Sequence, residues 1–491
     1  MKTLVVTDQS QSWFELADAT VLTARRYLAD PESGNGGAVR VLNLCRTGRY
    51  QGRGYYVSLL AEARGHRPVP DVKTIEDFRF EGLMRAIETE MQPAVQEALR
   101  HEESERFQLD VYFGKHPDHQ ALAEQLFAKV RAPLLRVVFS RADGSWRVDT
   151  LQTMGLADIP LHNRAFLLDA VKSFIAESPA AGKRQGARKD RPRLAILWDP
   201  NEQPRPSNEE ALQRFVKTAP LVGLEAELIG PDALERLPEF DALFNRAGPE
   251  GIIYEFLRKA ESLGMPVVDD PESVLKCGNK VYMQELLNRH RIATPRTLIA
   301  HRGNVDEIIP TLGLPCVLKL PDSGFGLDVV KIESEESLRK ETERFFIKSE
   351  LIIAQEWLPS EFDWRIGIFD RRPLFVAKYF MAPGYWKVNQ VVEGEEKLVE
   401  GKTQALTIGE TPEHVINTAL RAANLVGRSL YGADLKQVGD RVYVIEVNVN
   451  PNIDAGNEDQ VLGEALYREV LGVFARRIAE TQGGGAQRRA A

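Results

Sequence analysis

The sequence predicts a multidomain protein that combines α/β and α+β architecture. The chain has 491 residues, which is too many for one hydrophobic core, since single domains usually contain roughly 50 to 200 residues. Short apolar runs typical of strands alternate with segments of helical periodicity in the N-terminal third, and this alternation resumes after a polar break. From Thr297 onward the predicted strands lie closer together, which favours an α+β domain at the C-terminal end.

Composition and charge exclude several classes of protein. The 63 Lys and Arg residues against 71 Asp and Glu give a net charge of −8, which argues against general nucleic-acid binding. No run approaches the roughly 20 apolar residues of a membrane span, and the opening "MKTLVVTDQS" does not resemble a signal peptide. Cys45, Cys277 and Cys316 are widely spaced, which favours reduced thiols. We therefore expect a soluble cytoplasmic protein.

One boundary between domains is marked by composition. The segment "GKRQGARKDRPR", from Gly182 to Arg193, contains six basic residues, two glycines and a proline, with no apolar periodicity. Such a segment is typical of an exposed linker. The sequence therefore predicts an N-terminal α/β domain (1–181), a basic linker (182–192), a small α/β domain (193–275), a larger mixed domain (276–480) and a disordered tail (481–491).

The first domain alternates predicted strands and helices. Strands are predicted at "TLVVTD" and "VRVLNL", with helices over residues 13–28 and at "YYVSLLAEARG", whose Gly65 is typical of a helix C-cap. The runs "LDVYFG" and "LLRVVFS" predict further strands of a largely parallel sheet. The segment "CRTGRYQGRGYY" indicates either a loop for phosphate or carboxylate groups or a loop of solvated arginines, and the second is favoured.

The second domain is predicted to be a compact βαβα unit. "RLAILWD", "AELIG", "ALFNR" and "PVVD" are typical of strands, and a helix is expected from Gly251 to Leu263. Ser207 and Glu210 have the spacing of a capping box at the start of an amphipathic helix.

A lysine inside an apolar strand is the first unusual feature of the larger domain. Lys319 interrupts the run "VLKL", and Lys280 lies in the predicted helix "NKVYMQELLNRH". A loop able to cradle phosphates with its backbone N–H groups follows Lys319. This loop consists of Ser323, Gly324, Phe325 and Gly326. An exposed turn with solvated lysines is the alternative interpretation.

A second cluster, near the C-terminus, carries oxygen ligands. Val442, Val444, Glu446 and Asn448 in "VYVIEVNVN" share one parity, so we expect all four side chains on one face of a strand, with the two oxygen ligands about 6–7 Å apart. Asp434 joins them only if a bulge, or a loop of three or five residues, places it opposite Glu446 instead of Ile445. Three such oxygen ligands suit Mg²⁺. A half-exposed strand with solvated acids is the alternative.

Between the two clusters lies "IIAQEWLPSEFDWRIGIF". Its first strand ends at Glu356, Trp357 and Leu358, where backbone groups can meet the edge of an adenine ring. Asp363 and Arg365 share one parity and can face a ribose and a developing anion, respectively. A surface salt bridge between them is the alternative.

Taken together, these motifs resemble the ATP-grasp superfamily and, within it, the RimK-type amino-acid ligases. The order is a lysine on a helix, a lysine on a strand, a glycine loop, "QEWL", "DWR" and finally an aspartate followed by "EVN". The similarity extends over residues 193–476. It implies a pre-ATP-grasp domain over 193–275 and an ATP-grasp domain over 276–480, preceded by an extension found on some RimK-like proteins.

The resemblance also implies a role for each motif. ATP and two Mg²⁺ ions, which Mn²⁺ can replace, are the implied cofactors. ATP would be bound by Lys280, Lys319, Ser323, Gly324, Phe325, Gly326 and Asp363, with Glu356, Trp357 and Leu358 as the adenine hinge. Asp434, Glu446 and Asn448 would be the metal ligands, and Arg365 would stabilise an acyl-phosphate.

Two segments depart from the RimK pattern. "AKYFMAPGYWKVN" (377–389) replaces an arginine-rich run, and "NVNPNIDAG" (448–456) replaces a serine- and glycine-containing tail. Lys378 and Asn389, together with Arg365, are the predicted catalytic residues. Tyr379, Trp386 and Lys387 lie where substrate recognition is expected.

The implied function is an ATP- and Mg²⁺-dependent carboxylate–amine ligase that uses L-glutamate or a similar amino acid through an acyl-phosphate. Its partners would be amino acids or peptides, with a protein C-terminus as a further candidate acceptor. Neither nucleic acid nor membrane is expected as a partner, and a homo-oligomer is expected. The alternatives are a non-catalytic ATP-binding regulatory protein and an ATP-grasp kinase.

Overall fold

The computed structural model describes residues 2–17, 19–30, 39–79, 81–176, 191–322, 328–391 and 398–487. Helices and strands are mixed throughout, as predicted. The chain divides into two compact units, one formed by Met1–Ala181 and Lys348–Glu350 and the other by Gly182–Ile347 and Leu351–Ala491. Most of the predicted linker, 182–190, lies outside the described residues.

The N-terminal unit contains two separate sheets. Its elements are β1 (Lys2–Thr7), β2 (Thr20–Thr23), α1 (Ala24–Ala29), β3 (Val39–Asn43), α2 (Arg53–Ala63), β4 (Arg67–Val69), α3 (Val72–Asp77), α4 (Glu81–Ala98), β5 (Arg106–Tyr112), α5 (Gln120–Lys129), β6 (Leu134–Ala142), β7 (Ser145–Thr153) and α6 (Arg164–Ala176). The order β2-β1-β3-β4 forms a parallel sheet. The strands β5, β6 and β7 form an antiparallel sheet instead of extending the parallel one.

The predicted helix over residues 13–28 is wrong for most of its length. Thr20–Thr23 form strand β2, which pairs with β1, and only Ala24–Ala29 are helical. The β-branched residues of this strand favour extended backbone. Thr23 then caps the helix, because its side chain accepts a hydrogen bond from the Arg26 backbone N–H.

The second unit begins with a four-stranded parallel sheet of order β11-β10-β8-β9. Its elements are β8 (Arg193–Leu197), α7 (Glu209–Thr218), β9 (Glu225–Ile229), β10 (Ala242–Asn245), α8 (Ile252–Ser262), β11 (Val267–Val268) and α9 (Pro271–Gly278). The cap of α7 is Asn208 and not the predicted Ser207, since Asn208 Oδ1 accepts from the Ala211 N–H at 2.9 Å. Ser207 Oγ instead donates to the Ile453 carbonyl at 2.8 Å.

Two antiparallel sheets follow. The first, of order β12-β15-β13-β14, and the second, of order β20-β17-β16-β21-β22, are accompanied by a hairpin of β18 and β19. The elements are α10 (Lys280–Arg289), β12 (Thr297–Ala300), α11 (Ile308–Leu312), β13 (Cys316–Lys319), β14 (Val329–Ile332), α12 (Glu335–Lys348), β15 (Ile352–Glu356), β16 (Phe362–Phe369), β17 (Arg372–Phe380), β18 (Asn389–Val391), β19 (Leu398–Glu400), β20 (Thr403–Leu406), α13 (Glu413–Val426), β21 (Leu430–Val438), β22 (Arg441–Val449) and α14 (Glu464–Gln487).

The helix α14 continues to Gln487, beyond residue 481, where the disordered tail was predicted to begin. The last four residues, 488–491, lie outside the described residues.

One face of the five-stranded sheet is covered by a hydrophobic core. Ile366, Ala433 and Val444 from three strands pack with Ala419 and Ala423 of α13 in one buried cluster. Because side chains alternate along a strand, the residues between them point to the opposite face. That opposite face carries the charged side chains of the candidate site.

Candidate active site

A bulge in the hairpin of β21 and β22 brings Asp434 opposite Glu446. The strands are joined by a two-residue loop whose Gly439 has φ +59°, a conformation that glycine adopts readily. The register shifts after Asp434, so that Leu435 pairs with Val444 while Asp434 pairs with Glu446. The inserted residue places both carboxylates on one face. Val442 and Val444, predicted to share the face of Glu446, lie instead in the core on the other face. The predicted pairing of these two residues is therefore confirmed, and a bulge produces it.

Asn448 joins the two carboxylates. Its Nδ2 donates to Glu446 Oε1 at 2.9 Å and to Asp434 Oδ2 at 3.2 Å. Within the described ranges, no group of three or more His, Cys, Asp or Glu side chains could hold a metal ion. Two carboxylates and an amide are hard oxygen donors, and this donor set fits Mg²⁺.

The two carboxylates differ in their electrostatic surroundings. Burial acts to raise the pKa of Glu446, but Lys280, the Asn448 hydrogen bond and Lys319 together hold that pKa below its ordinary value. Burial raises the pKa of Asp434 to about 6, although Arg365 opposes the shift. Glu446 is therefore charged at neutral pH. A positive charge placed near Asp434 would lower the pKa of that carboxylate and stabilise its charged form.

The Arg365 guanidinium contacts two residues, Asp434 and Tyr379. Its Nε and Nη2 both donate to the carboxylate of Asp434, with 2.8 Å between Nη2 and Oδ2. The guanidinium carbon lies 5.0 Å from the centre of the Tyr379 ring. Burial acts to lower the pKa of Arg365, but Asp434 and Tyr379 raise it above its ordinary value. Among the described residues no acceptor bonds to Nη1, which leaves that edge able to bind an anion.

A pocket between the two antiparallel sheets contains both predicted lysines. Its lining includes Lys280, Lys319, Gln355, Cys277 and Glu446. The Lys319 side chain is buried, and its Nζ donates to Gln355 Oε1 at 2.8 Å. Burial lowers the pKa of Lys319 to about 8, against the charge of Glu446. The pocket therefore brings two lysine side chains together with the Glu446 carboxylate.

The predicted adenine hinge follows β15. The Glu356 carboxylate accepts from the Arg296 backbone N–H and from Arg296 Nε, both at 2.7 Å. Lys331 Nζ lies 4.1 Å from the centre of the Trp357 ring, and Leu358 is half-buried in the loop beyond it. The side chains of Glu356 and Trp357 are thus bound to protein groups, and a nucleotide would meet the backbone here.

Asp363 has a basic partner that the sequence analysis missed. Lys436 Nζ lies 2.6 Å from Asp363 Oδ1 and also contacts Ser360 Oγ. Lys436 shares the parity of Asp434 on β21, so the strand pattern contained a signal for its position. Asp363 lies on the same face of the sheet as the metal-ligand candidates because it shares the parity of Arg365, which pairs with Asp434.

Lys378 does not join the site, contrary to the prediction. It pairs with Trp364 across β16 and β17, whereas Arg365 pairs with Ala377. Its Nζ lies 4.4 Å from the centre of the Phe362 ring and 4.7 Å from that of Trp364. Trp364 belongs to the core beneath the sheet, so alternation along β17 directs Lys378 away from Arg365.

Several predicted residues fall partly or wholly outside the described part of the chain. The loop Ser323, Gly324, Phe325 and Gly326 is not described, and Asn389 is described only as a backbone position in β18. Lys387 Nζ donates to the Val329 carbonyl at 2.6 Å and lies 5.0 Å from the centre of the Trp386 ring.

A pocket lined by two lysines thus lies between two antiparallel sheets, beside a strand pair that carries two carboxylates and an amide. Two family models identify the class of protein as ATP-grasp. The description "RimK-like ATPgrasp N-terminal domain" matches residues 24–170, and "RimK-like ATP-grasp domain" matches residues 277–463. The chain belongs to the RimK-like ATP-grasp family.

Individual proteins resemble the chain more distantly. A probable alpha-L-glutamate ligase of Vibrio vulnificus is 27% identical over 246 residues, which is 49% of this chain and 76% of that protein. The D-alanine–D-alanine ligase of Bacillus anthracis complexed with ATP is 17% identical, over 60% of this chain and 99% of that chain, with a TM-score of 0.45. A RimK domain protein of Sphaerobacter thermophilus is 16% identical, over 58% and 99%, with a TM-score of 0.42. In the part of the chain that the structure describes, no helix has the length and apolar character needed to span a bilayer.

Proposed function

We propose that this protein is an ATP-dependent carboxylate–amine ligase. The observation that carries the proposal is the convergence of Lys280, Lys319 and Glu446 in one pocket, beside the Asp434–Asn448 pair. Positive groups for phosphates and oxygen ligands for a cation are the parts that phosphoryl transfer from ATP requires. Membership of the RimK-like ATP-grasp family and the ligase names of its relatives support the same activity.

In this proposal ATP lies with its phosphates toward the two lysines. Lys319, already fixed by Gln355, would pair with phosphate oxygens without having to be ordered first. Lys280 would be the second cation. The backbone at Glu356, Trp357 and Leu358 would bind the adenine, with Asp363 near the ribose.

Asp434, Glu446 and Asn448 would hold Mg²⁺, as two ions that Mn²⁺ can replace. When bound, the metal would neutralise part of the negative charge on the phosphates. Burial raises the pKa of Asp434, and a bound cation would act in the opposite direction. The proposed boundaries remain 193–275 for the pre-ATP-grasp domain and 276–480 for the ATP-grasp domain.

The proposed chemistry has two steps. A substrate carboxylate oxygen attacks the γ-phosphorus of ATP, forming an acyl-phosphate while the bond to the leaving ADP oxygen breaks. An amine nitrogen then attacks the acyl carbon, the carbon–oxygen bond to phosphate breaks, and the nitrogen loses a proton. The free edge of Arg365 would bind the oxygens that gain charge in both steps. No nucleophilic side chain is required.

The substrates are proposed to be amino acids or peptides. L-Glutamate or a similar amino acid is the leading candidate, because relatives at 27% identity carry the name alpha-L-glutamate ligase. The segments 377–389 and 448–456, which differ from the RimK pattern, would determine the other partner.

The test is incubation with Mg²⁺, ATP and pools of amino acids and short peptides, with phosphate release measured and products identified by mass spectrometry. A ligase gives a mass equal to two substrates minus water, with one phosphate released for each product. A stable phosphorylated product would contradict the proposal in favour of a kinase. ATP binding without turnover in any pool would favour a regulatory protein.

A further inference from the structure

Tyr379 lies beside the proposed reaction centre, and both its ring and its hydroxyl group are engaged. It pairs with Asp363 across β16 and β17, so its side chain is on the face that carries Arg365. The ring lies beneath the Arg365 guanidinium, 5.0 Å from its central carbon. The hydroxyl donates to Glu458 Oε1 at 2.7 Å. Tyr379 therefore connects Arg365 to a carboxylate that the sequence analysis did not single out.

Glu458 is a buried acid with both oxygens occupied. Its relative exposure is 4%, and its second oxygen accepts from the Asp454 backbone N–H at 2.8 Å. A buried carboxylate is unfavourable unless hydrogen bonds compensate for lost hydration. Two donors, one from Tyr379 and one from the loop itself, meet that requirement. The position of the tyrosine hydroxyl is thereby fixed to the loop.

The loop that carries Glu458 is anchored to the preceding domain. Ser207 Oγ donates to the Ile453 carbonyl at 2.8 Å, and the Asn208 backbone N–H donates to Asp454 Oδ1 at 2.6 Å. The Asp459 carboxylate contacts Arg214 Nη1 on α7. Because these contacts lie on both sides of Glu458, the acceptor for Tyr379 is held in a defined place.

Two groups thus restrain Arg365 in different directions. Asp434 binds the guanidinium within its plane, and Tyr379 supports its face. Asp434 is also a proposed metal ligand, so a bound cation would compete with the guanidinium for its oxygens. The support from the ring is unaffected by that competition. Tyr379 would therefore determine where Arg365 lies when the cation is present.

We propose that Tyr379, fixed by Glu458, is a positioning residue that holds the Arg365 guanidinium toward the reacting phosphoryl group. The role rests on the proposed function, because Arg365 is assigned a task only in that reaction. The sequence predicted that Tyr379 recognises substrate, and the proposal gives this residue a different role.

Three substitutions test whether Tyr379 and Glu458 position the Arg365 guanidinium. Y379F keeps the ring and removes one hydrogen bond, so kcat is expected to fall roughly 3- to 10-fold. Y379L removes the ring as well, and kcat is expected to fall roughly 10- to 100-fold. E458L removes the acceptor of the tyrosine hydroxyl and should resemble Y379F, and the double variant Y379F/E458L should be no worse than the more affected single variant, since both changes remove the same hydrogen bond. The KM for ATP should stay within about twofold in all three.

The matched control is Y467F. Tyr467 also donates to a buried carboxylate of the same loop, Asp459, at 2.9 Å. Its ring belongs to the core formed with α14 and not to the surroundings of Arg365. Y467F therefore removes the same kind of bond from the neighbouring loop residue, and it should leave kcat within about twofold of wild type.

Two results would overturn the proposal while the wild type is active. One is an unchanged kcat in Y379L, and the other is an equal loss of kcat in Y467F and Y379F. A measurement without turnover separates this inference from the proposed function. Crystals of wild type and Y379L, each grown with Mg²⁺ alone, should differ in the position of the Arg365 guanidinium. An Arg365 in the same place in both would refute the positioning role, even if no substrate were found.

Discussion

Lys319 Nζ donates to Gln355 Oε1 at 2.8 Å, from one strand of an antiparallel sheet to its neighbour. Gln355 in turn donates from Nε2 to Thr297 Oγ1 at 2.9 Å on the next strand. This chain of bonds explains how an apolar strand accommodates a lysine, because the ammonium group is buried with a polar partner. Because the Gln355 amide is neutral, it does not neutralise the charge of a protonated Lys319.

The pKa of Lys319 predicts a pH dependence of ATP binding. Burial lowers that pKa from 10.5 to about 8, so the side chain is mostly charged at pH 7 and mostly neutral at pH 9. A neutral amine cannot pair with phosphate, so the KM for ATP should rise roughly tenfold between pH 7 and pH 9. K319R keeps its charge throughout this range and should show a much flatter profile. Parallel profiles for the two proteins would exclude Lys319 as the titrating group.

The oxygen cluster predicts that charge at Glu446 is indispensable. E446Q preserves the shape of the side chain and removes the negative charge, so turnover should fall at least 100-fold while the circular dichroism spectrum is unchanged. The matched control is D440N, which makes the same change at the exposed turn of this hairpin. Phosphate release measured against Mg²⁺ concentration checks both variants. An active E446Q would remove the metal-site proposal.

Arg365 and Lys378 lie on opposite faces of the five-stranded sheet, so substitutions of these two residues should affect kcat differently. R365K keeps a positive charge but loses the paired bonds to Asp434, so kcat should fall roughly 10- to 1000-fold. K378A removes a lysine that lies over Phe362 and Trp364 on the other face. Its kcat should stay within about twofold, with a modest loss of stability. A K378A variant as impaired as R365K would restore Lys378 to the catalytic set.

Asp269, at the end of β11, predicts a pH-dependent stability. Burial raises its pKa to about 7, although the charge of Arg246 acts to lower it. The ordinary value is about 3.9, so between about pH 4 and pH 7 the folded protein holds a proton that the unfolded chain has released. The contribution of Asp269 to the unfolding free energy therefore decreases as pH rises through this window, by an amount on the order of 4 kcal/mol.

The comparison with D269N isolates that contribution. The stability of wild type relative to D269N, measured by chemical unfolding, should be lower at pH 8 than at pH 5. An equal difference at the two pH values would show that Asp269 does not titrate in this range.

The order of motifs along the chain was enough to predict the class of protein. Glu446 and Asn448 share a face because they are two residues apart on one strand, and this follows from strand geometry alone. The pairing of Asp434 with Glu446 was predicted conditionally, because it depends on a bulge whose existence no local pattern indicates. Lys319 and the "EVN" strand were recognised by their unusual polar residues within apolar runs.

Other parts of the site could not be predicted because they depend on distant contacts. The alternation that directs Arg365 toward the site directs Lys378 away from it, but only the register between β16 and β17 relates the two residues. Glu458 reaches Tyr379 across 79 positions of the chain, and Lys436 meets Asp363 across 73.

By itself, the sequence determined the fold class, the order of the ATP-grasp motifs and the shared face of Glu446 and Asn448. These properties are local, since they follow from side-chain chemistry and from the repeat of one element. Only the tertiary structure decided which faces meet, where the bulge lies and which carboxylate supports the Arg365–Tyr379 pair. Those properties arise from the packing of elements that are far apart in sequence, where small changes in register alter every contact.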